Sequence, residues 1–291
     1  MESYHTPVLL NEIIEYLNVQ KGSWYVDATL GGGGHIKAIL EHGGKVLGID
    51  VDEDALSYVK RHFKKYLDNK SLVLVKGNFA NIDTLIKEYC PESPMGIIYD
   101  LGVSSHQLST EDRGFSFNSD GFLDMRMDQG MAVTAKDVIN GFSKKELEKV
   151  FRGYGEERFA GKIADLIVKR RANKTISTCG ELSRLVAEAK KGGRYEKINP
   201  ATKVFQALRI AVNSELENLK VSLPRALRAI NSKGRVVIVS FHSLEDRIVK
   251  DFGKKTEGLL VITKKPIGAS ISEVSNNPKS RSACLRVFEK L

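Results

Sequence analysis

The sequence predicts an α/β fold, with a mainly parallel sheet that a helical insertion interrupts. In the first third of the chain, short apolar runs alternate with helical patterns, which is typical of a parallel sheet covered on both faces. The apolar runs are Trp24–Ala28, Lys45–Asp50, Leu72–Lys76 and Gly96–Tyr99. The β pattern disappears from about Asp112 to Asn199 and returns at Arg235–Phe241.

Composition excludes several classes of protein. The 291 residues are 42% hydrophobic and 28% charged, enough for an ordinary core and incompatible with intrinsic disorder. Apolar stretches such as Val236–Val239 fall far short of the ~20 residues of a membrane-spanning helix. The N-terminus has no basic region ahead of Val8–Leu10, so we expect a cytoplasmic protein. The three cysteines are far apart and form no CxxC pair, which argues against a disulfide framework or a zinc knuckle.

The middle of the chain has a helical pattern. Three amphipathic segments, Lys144–Phe151, Phe159–Arg171 and Cys179–Lys190, are joined by polar links such as residues 191–194. We therefore predict an inserted helical substrate-recognition domain over residues 112–199. Residues 1–111 and 200–291 then form one discontinuous domain.

The last third returns to the sheet. Pro200 opens a long helical pattern over Ala201–Leu219, with a break expected near Pro224. After the strand Arg235–Phe241, two further β candidates, Leu259–Thr263 and Cys284–Phe288, suit an antiparallel pair at the edge of the sheet.

Four consecutive glycines, Gly31–Gly34, follow the first predicted strand and precede a helix that starts near His35. Glycines at such a turn let the backbone approach a ligand closely, and the helix N-terminus presents free N–H groups. A nucleotide-like cofactor is the expected ligand. The dinucleotide pattern GxGxxG fails, because Ile36 or Lys37 stands where its third glycine belongs, and the GxxxxGK[ST] phosphate loop is absent.

Three more side chains follow later strands. Asp50 ends the second strand, 19 residues after Gly31, where an acid can accept hydrogen bonds from both ribose hydroxyls. Phe79 follows the third strand and would lie near an adenine, although a core phenylalanine is an open alternative. Asp100 ends the fourth strand, where the reacting group should lie. The histidines form no HExxH-type pair, so we expect no metal.

Charge is distributed unevenly. Residues 1–111 carry a net charge of −5, residues 112–200 carry +5 and residues 220–291 carry +9. Basic surfaces gain affinity for polyanions through counterion release, so nucleic acid is a candidate partner of the middle and the tail of the chain.

Seven motifs in this order resemble the RsmH/MraW family, the bacterial small-subunit ribosomal RNA cytosine 4-amino methyltransferases. They are His5–Leu10, the glycine run ending in His35, Asp100–Leu108, Arg113–Phe117, Leu123–Met127, Tyr154–Phe159 and Ser240–Arg247. The resemblance implies a Rossmann-like methyltransferase sheet, S-adenosyl-L-methionine as methyl donor, and a cytidine in the decoding region of 16S ribosomal RNA as acceptor. The partner is then 16S ribosomal RNA or the small ribosomal subunit.

The same resemblance implies roles for individual residues in holding the cofactor. Gly33, Gly34 and His35 would contact the methionine part of the donor, Asp50 its ribose, and Phe79 the surroundings of its adenine. Asp100 and Gln107 would complete that pocket. The motif after the fourth strand, Asp100–Val103, departs from the Asp/Asn/Ser-Pro-Pro-aromatic signature of many amino-group methyltransferases, which leaves open which groups hold the target amine.

Six residues are candidates for contact with RNA. Arg113, Phe115 and Phe117 stand in a polar context and could stack on a flipped nucleotide, while Tyr154 and Arg158 are further candidates in the helical domain. His242 follows the fifth strand, where a substrate role and a structural role are both open. The Lys169–Arg171 and Lys190–Lys191 clusters could contact phosphates or be solvated helix ends.

Methyl transfer requires activation of the acceptor amine, because the lone pair of cytosine's exocyclic amine is delocalised into the ring. We hypothesise that the Asp100 carboxylate or nearby carbonyl groups polarise this amine. Two alternatives stay open at the level of sequence: a non-catalytic RNA-binding assembly factor, and an NAD-dependent oxidoreductase, which the missing third glycine disfavours.

Overall fold

A computed structural model describes residues 7–191 and 199–291. The motif residues His5 and Thr6, and Gly192–Arg194 of the predicted interhelical link, lie outside the described residues. The chain divides into two compact units. The sheet unit comprises residues 1–104 and 216–291, and the helical unit comprises residues 105–215.

The sheet unit contains a seven-stranded sheet in the order β3-β2-β1-β4-β5-β7-β6. Its strands are β1 Trp24–Asp27, β2 Lys45–Asp50, β3 Leu72–Lys76, β4 Gly96–Asp100, β5 Arg235–Ser240, β6 Leu259–Val261 and β7 Cys284–Lys290. Strands β1 to β5 are parallel, and β7 is antiparallel to both β5 and β6. The predicted α/β fold with a mainly parallel, Rossmann-like sheet is confirmed, as is the antiparallel pair at its edge.

Helices cover the sheet and fill the links between its strands. In chain order the helices are α1 Leu10–Leu17, α2 Gly34–Glu41, α3 Glu53–His62, α4 Lys64–Asp68, α5 Ile82–Tyr89, α6 Ser105–Ser109, α7 Ala135–Gly141, α8 Lys144–Gly155, α9 Ala160–Arg171, α10 Cys179–Ala189, α11 Thr202–Asn213, α12 Glu215–Ala229, α13 Ser243–Lys255 and α14 Ile271–Asn276. Short 3₁₀ turns occupy Phe79–Asn81, Glu111–Arg113 and Pro278–Ser282. None of the helices in the described residues is long and apolar enough to cross a membrane.

The core of the sheet unit forms because its central strands are buried on both faces. Every residue of β1 is buried, and so are the first four residues of β4 and the last five of β5. One apolar cluster includes Val26, Ile97 and Ile238, and a second includes Tyr25, Ile98 and Val237. Consecutive residues thus alternate between two cores, as the two-residue period of a strand requires.

The helical unit confirms the helical insertion. Polar caps explain where its helices begin: Thr134, Ser143 and Thr178 each accept a hydrogen bond from the backbone of the residue three positions later, whose acidic side chain accepts one in return. The predicted limits of 112 and 199 leave α11 outside the insertion. In the structure α11 packs on α7 and α8, so the compact unit extends to Glu215.

The predicted break near Pro224 is wrong. Helix α11 ends instead at Asn213, where the following Ser214 has a left-handed φ of 52°, and α12 continues through Pro224. The prolyl ring is exposed, and so is Lys220, whose carbonyl loses its helical donor to the proline. Water can satisfy that carbonyl, so the helix tolerates the proline here.

Candidate active site

The carboxyl ends of β1, β2 and β4 bring the predicted cofactor residues to one edge of the sheet. Strand β1 pairs with β2 on one side and with β4 on the other. Successive strands are therefore added on one side of β1 up to β3 and on its other side from β4 onwards. Ligands of open α/β sheets bind beside such a switch point. Asp27, Asp50 and Asp100 are the last residues of these three strands.

The glycine turn after β1 depends on glycine for two different reasons. Gly33, with φ of +75°, is the N-cap of α2, and a Cβ atom there would lie 3.1 Å from Val59 Cγ2. A Cβ on Gly34 would lie 2.9 Å from Pro7 Cγ. Residues of the sheet unit therefore leave little space for a side chain at either position. Gly31, with φ of +47°, has only the Thr29 carbonyl oxygen near its Cβ position, at 3.8 Å, so its surroundings are open.

Asp50 holds this turn from the neighbouring strand. Its Oδ2 accepts a hydrogen bond from the Gly31 N–H at 2.9 Å, and its Oδ1 accepts one from the Asp52 N–H at 2.9 Å. Burial raises the pKa of the Asp50 carboxyl to about 6. A carboxylate has about four lone-pair positions. Two therefore stay available for further donors such as a pair of vicinal hydroxyls.

Thr29 links the ends of β1 and β4. Its Oγ1 accepts a 2.7 Å hydrogen bond from the Asp100 N–H, and its own N–H donates to Asp27 Oδ1 at 3.1 Å. The Asp100 backbone is therefore fixed against the glycine turn, which sets the position of the carboxylate that we expect to face the reacting amine.

His35 lies in the first turn of α2 and is close to Asp100 at the end of β4. The imidazole is buried, with Nδ1 4.0 Å from Asp100 Oδ2 and Nε2 3.5 Å from the Val8 carbonyl oxygen. The structure thus brings together the candidates Gly33, Gly34, His35, Asp50 and Asp100 at one edge of the sheet.

Phe79 lies in the 3₁₀ turn that follows β3, and it is partly buried. Its ring meets Tyr99 edge-on, with 5.7 Å between ring centroids. The Ser222 hydroxyl donates to the Phe79 carbonyl at 2.8 Å and lies 2.6 Å from the Tyr99 hydroxyl. These contacts hold the ring in one place, and its partial exposure leaves a surface for an adenine.

Asp27 is the group that sequence reasoning missed. Its side chain is fully buried, and within the described residues its Oδ2 has no hydrogen-bond partner. Burial raises the pKa of Asp27 to about 6, against the opposing effect of His35. An acid at the end of a fully buried strand was the available signal, since such a charge is costly without a cation or donor nearby.

Several RNA candidates in the helical unit are buried. Arg113 is 6% exposed, and its guanidinium donates to the carbonyls of Arg126 and Met127 at 3.1 and 3.0 Å. Phe115 is also buried, and Arg113 lies over its ring. Direct RNA contact by these two side chains is therefore disfavoured, because Arg113 organises the loop that follows α6. Gln107 is buried within α6.

The remaining helical candidates differ in exposure. The Phe117 ring packs edge-on against Phe205 at 5.9 Å, so it belongs to the internal packing of the unit. Tyr154 is partly buried near the end of α8, and its carbonyl accepts a hydrogen bond from Gln206. Arg158 is exposed between α8 and α9. Of these three, Arg158 is the most accessible to a phosphate.

His242 forms the N-cap of α13. Its Nδ1 accepts a hydrogen bond from the Glu245 N–H, and Glu245 Oε2 accepts one from the His242 N–H in return. His242 Nε2 also lies 3.1 Å from Glu245 Oε1, and the histidine side chain is only 11% exposed. The structural role that the sequence left open is therefore observed.

The basic clusters of the helical unit are largely engaged in internal contacts. Lys169 pairs with Asp165, and Arg171 donates to the carbonyls of Ile139 and Phe142. Lys190 forms a buried ion pair with Glu157 at 3.1 Å, with side chains only 7% and 1% exposed. Lys191 is exposed.

Comparison with known proteins gives the family. The model of the MraW methylase family matches residues 2–291. The chain belongs to the MraW methylase family. It is 44% identical over 295 residues to "Ribosomal RNA small subunit methyltransferase H" of Pseudothermotoga lettingae, with 100% of both chains covered. It is 46% identical over 309 residues to the protein of that name from Caldicellulosiruptor saccharolyticus, with 99% of both covered.

Among solved structures, this methylase is similar in backbone to an rRNA methylase from Streptococcus thermophilus. The TM-score is 0.45 and the sequence identity 13%, over 97% of this chain and 93% of the other. Membership of a methylase family, predicted from the seven motifs, is confirmed by the family match, and the NAD-dependent alternative is set aside.

The residues at the sheet edge fit a cationic nucleoside such as S-adenosyl-L-methionine. Open space adjoins Gly31, and Asp50 retains acceptor capacity towards that turn. Asp27 Oδ2, which has no hydrogen-bond partner among the described residues, adds a buried negative group at the end of β1. A ligand that carries a sulfonium and an ammonium would be attracted by this charge distribution.

Asp27→Asn is expected to stabilise the methylase at pH 8. The raised pKa of about 6, against 3.8 for the ordinary carboxyl, means that the native state binds more protons than the unfolded state between about pH 4 and 6. The contribution of Asp27 to the free energy of unfolding therefore falls as the pH rises through this window. The neutral amide of the variant does not lose stability in this way, and the loss that it avoids at pH 8 amounts to about 3 kcal/mol in the free energy of unfolding.

The measurement is urea unfolding of wild type and variant at pH 8 and pH 4. The stability difference should be largest at pH 8 and should vanish near pH 4. Asp68→Asn, at an exposed position at the end of α4, serves as the control with no expected change. Equal stability of wild type and Asp27→Asn at pH 8 would contradict the prediction.

Proposed function

We propose that this methylase transfers a methyl group from S-adenosyl-L-methionine to the exocyclic 4-amino group of a cytidine in the decoding region of 16S ribosomal RNA. The observation that carries the proposal is the arrangement at the sheet edge, where Asp100 lies beside His35 and is fixed through Thr29 to the turn that Asp50 holds. The names of the relatives support small-subunit ribosomal RNA as the substrate.

The cofactor-binding role belongs to the edge formed by β1, β2 and β4. Asp50 would accept the ribose hydroxyls through its two remaining lone-pair positions. Phe79, held by Tyr99 and Ser222, would flank the adenine. Gly34 and His35 would offer the N–H groups of the first turn of α2 to the carboxylate of the methionine part, and Gly33, whose own N–H donates to the Leu30 carbonyl, would let the backbone approach that part closely. Gln107 is proposed as a further contact.

When bound, the cofactor supplies an electrophilic methyl group on a positively charged sulfur. Methyl transfer would form a bond between the cytosine N4 and the methyl carbon while the carbon–sulfur bond breaks, leaving a neutral thioether, and the proton lost from N4 would pass to solvent. The acceptor is the difficult partner, since its lone pair must leave conjugation with the ring.

Asp100 would meet this difficulty electrostatically. Its carboxylate can accept a hydrogen bond from the amine, which draws the N4 lone pair out of the ring and stabilises the positive charge that develops on nitrogen. The backbone hydrogen bond from Asp100 to Thr29 fixes the carboxylate in advance, so little reorganisation accompanies the reaction. The neighbouring His35 would limit motion of the Asp100 side chain.

The helical unit is proposed to contribute to substrate recognition. Arg158 supports this role through its exposure between two helices, and Tyr154 adds a partly exposed ring. A target base must leave its stack to reach the sheet edge, so contacts to flanking nucleotides are required to hold the RNA during transfer.

The test is nucleoside mass spectrometry on unmodified small ribosomal subunits, and separately on protein-free 16S ribosomal RNA, after treatment with the purified protein and methyl-labelled cofactor. We expect label in a cytosine base methylated at N4. Label in a ribose, or RNA binding without any transfer, would contradict the proposal, and the second result would favour an assembly factor.

A further inference from the structure

We propose that three exposed cations of the sheet unit, Lys264, Lys265 and Arg281, bind the phosphodiester backbone of the substrate RNA next to the target nucleotide. We call these three residues the basic rim. The inference rests on the proposed function and deepens it, because it states from which side of the sheet the RNA reaches Asp100.

The pairing of β7 places the rim at the same edge of the sheet as Asp100. Strand β7 is antiparallel to β5, so its first residue, Cys284, pairs with Ser240 at the carboxyl end of β5. Arg281 precedes Cys284 by three residues and therefore lies at that edge. Asp100 pairs with Val239 on the other side of β5, so one strand, β5, separates Asp100 from the start of β7.

Backbone hydrogen bonds fix the segment that carries Lys264 and Lys265. Thr263 Oγ1 accepts a hydrogen bond from the Val287 N–H at 2.9 Å. Ile267 exchanges two backbone hydrogen bonds with Leu285, at 3.0 and 2.8 Å. The two lysines lie between these anchors, and both are exposed.

Charge in this part of the chain is one-sided. From Gly258 to Ala283 the sequence has four Lys or Arg residues and a single acid, Glu273. The Glu273 carboxylate accepts a 2.7 Å hydrogen bond from the Leu9 N–H, so it is already engaged. Within the part of the chain that the structure describes, the three rim residues form no ion pair. Their charge is available to a polyanion.

Some basic residues of the helical unit, where the sequence leaves phosphate contacts open, already have acidic partners within that unit. Lys144 and Lys169 share Asp165, at 2.8 and 2.9 Å. Arg152 pairs with Glu148 at 2.7 Å. Basic residues that already have acidic partners release fewer counterions when they meet RNA.

The strand order places the proposed cofactor residues on one side of Asp100 and the basic rim on the other. The proposed cofactor residues lie on β1 and β2, where the Asp50 carboxylate would repel a phosphate backbone. The rim lies on the opposite side of Asp100, beyond β5. Two strand spacings correspond to about 10 Å, or about three phosphate repeats of a stacked single strand.

The test compares a rim variant, K264A/K265A/R281A, with a matched control, K60A/K64A/K254A. The control removes three exposed lysines near the opposite end of the strands, since α3 and α13 run back from the carboxyl edge. For each protein, the Kd for protein-free 16S ribosomal RNA is measured by fluorescence anisotropy at several salt concentrations. The kcat and KM for methyl transfer to that RNA and to unmodified small subunits are measured in parallel.

We expect the rim variant to raise Kd and KM at least 10-fold, with kcat at saturating RNA within about twofold of wild type. The slope of log Kd against log salt should fall by about 2, as expected for three lost contacts to single-stranded phosphates. The control should change Kd and KM by less than twofold.

Equal Kd values for the rim variant and the control would overturn the inference, whatever the activity of the wild type. Loss of affinity for assembled subunits alone, with unchanged binding to protein-free RNA, would also overturn it, because the rim would then contact a ribosomal protein. If the rim variant loses RNA affinity but wild type transfers no methyl group, the basic rim stands and the proposed function fails.

Discussion

Replacing Asp100 with Ala is expected to lower kcat for methyl transfer by about 10²–10³-fold, the effect typical of removing one preorganised electrostatic contact to a transition state. The reason is that, in the proposed mechanism, the carboxylate would accept a hydrogen bond from the amine, and this bond would grow stronger as positive charge develops on N4. The KM for RNA should change much less, because the proposed phosphate contacts are made by the basic rim and not by Asp100.

Single-turnover transfer at saturating cofactor and RNA measures this effect without a contribution from product release. Asp100→Asn keeps the side-chain size and the backbone hydrogen bond to Thr29, so it isolates the charge, and it should lose most of the same activity. Asp68→Ala, at the exposed end of α4, is the control. Turnover near that of wild type in both Asp100 variants would remove this carboxylate from the mechanism.

Replacing Asp50 with Asn is expected to weaken cofactor binding by about 10- to 100-fold, the equivalent of losing one hydrogen bond to a charged acceptor. The amide oxygen can still accept from the Gly31 N–H, which keeps the glycine turn in place, whereas the hydrogen bond from the Asp52 N–H is lost. It has one acceptor oxygen in place of two, and it can no longer receive both ribose hydroxyls at full strength.

Titration calorimetry with S-adenosyl-L-methionine at pH 8 and pH 5 measures the loss. Because the pKa of the Asp50 carboxyl is about 6, the wild-type group is mostly protonated at pH 5, and the gap between wild type and variant should narrow there. Glu53→Gln, three residues away and paired with Lys76 on the surface, should bind like wild type. A Kd for Asp50→Asn within twofold of wild type at pH 8 would rule out the ribose contact.

Periodicity and strand ends predicted most of the sheet. The four strands of the first third and Arg235–Phe241 were recognisable because buried parallel strands are nearly all apolar, and the acids that end them stand out. Weaker signals led to errors in the connections. Pro224 looked like a helix break, but its exposed position makes the missing hydrogen bond inexpensive.

The candidate site divides along a similar line. Asp50 and Asp100 are the last residues of their strands, so topology alone brings them together. The environment of Arg113 and His242 depends instead on which carbonyl or carboxylate groups the fold brings within hydrogen-bond distance. A loop arginine and an RNA-binding arginine look alike in sequence. Only the carbonyls of Arg126 and Met127 show that Arg113 is committed to the interior. Asp27 offered the same signal, an acid at the end of a buried strand, but the sequence does not show that its Oδ2 has no hydrogen-bond partner among the described residues.

The discontinuity of the sheet has a consequence for synthesis of the protein. Between Asp100 and Arg235 lie 134 residues, all of which leave the ribosome before β5 can join β4. At roughly 5–20 residues per second, this takes on the order of 10 s. During that interval a nascent half-sheet exposes the hydrogen-bonding groups of β4, the kind of unpaired edge that invites misassociation. The intervening helices can fold during this interval. A chaperone that shields the unpaired edge of β4 would be most useful at that time.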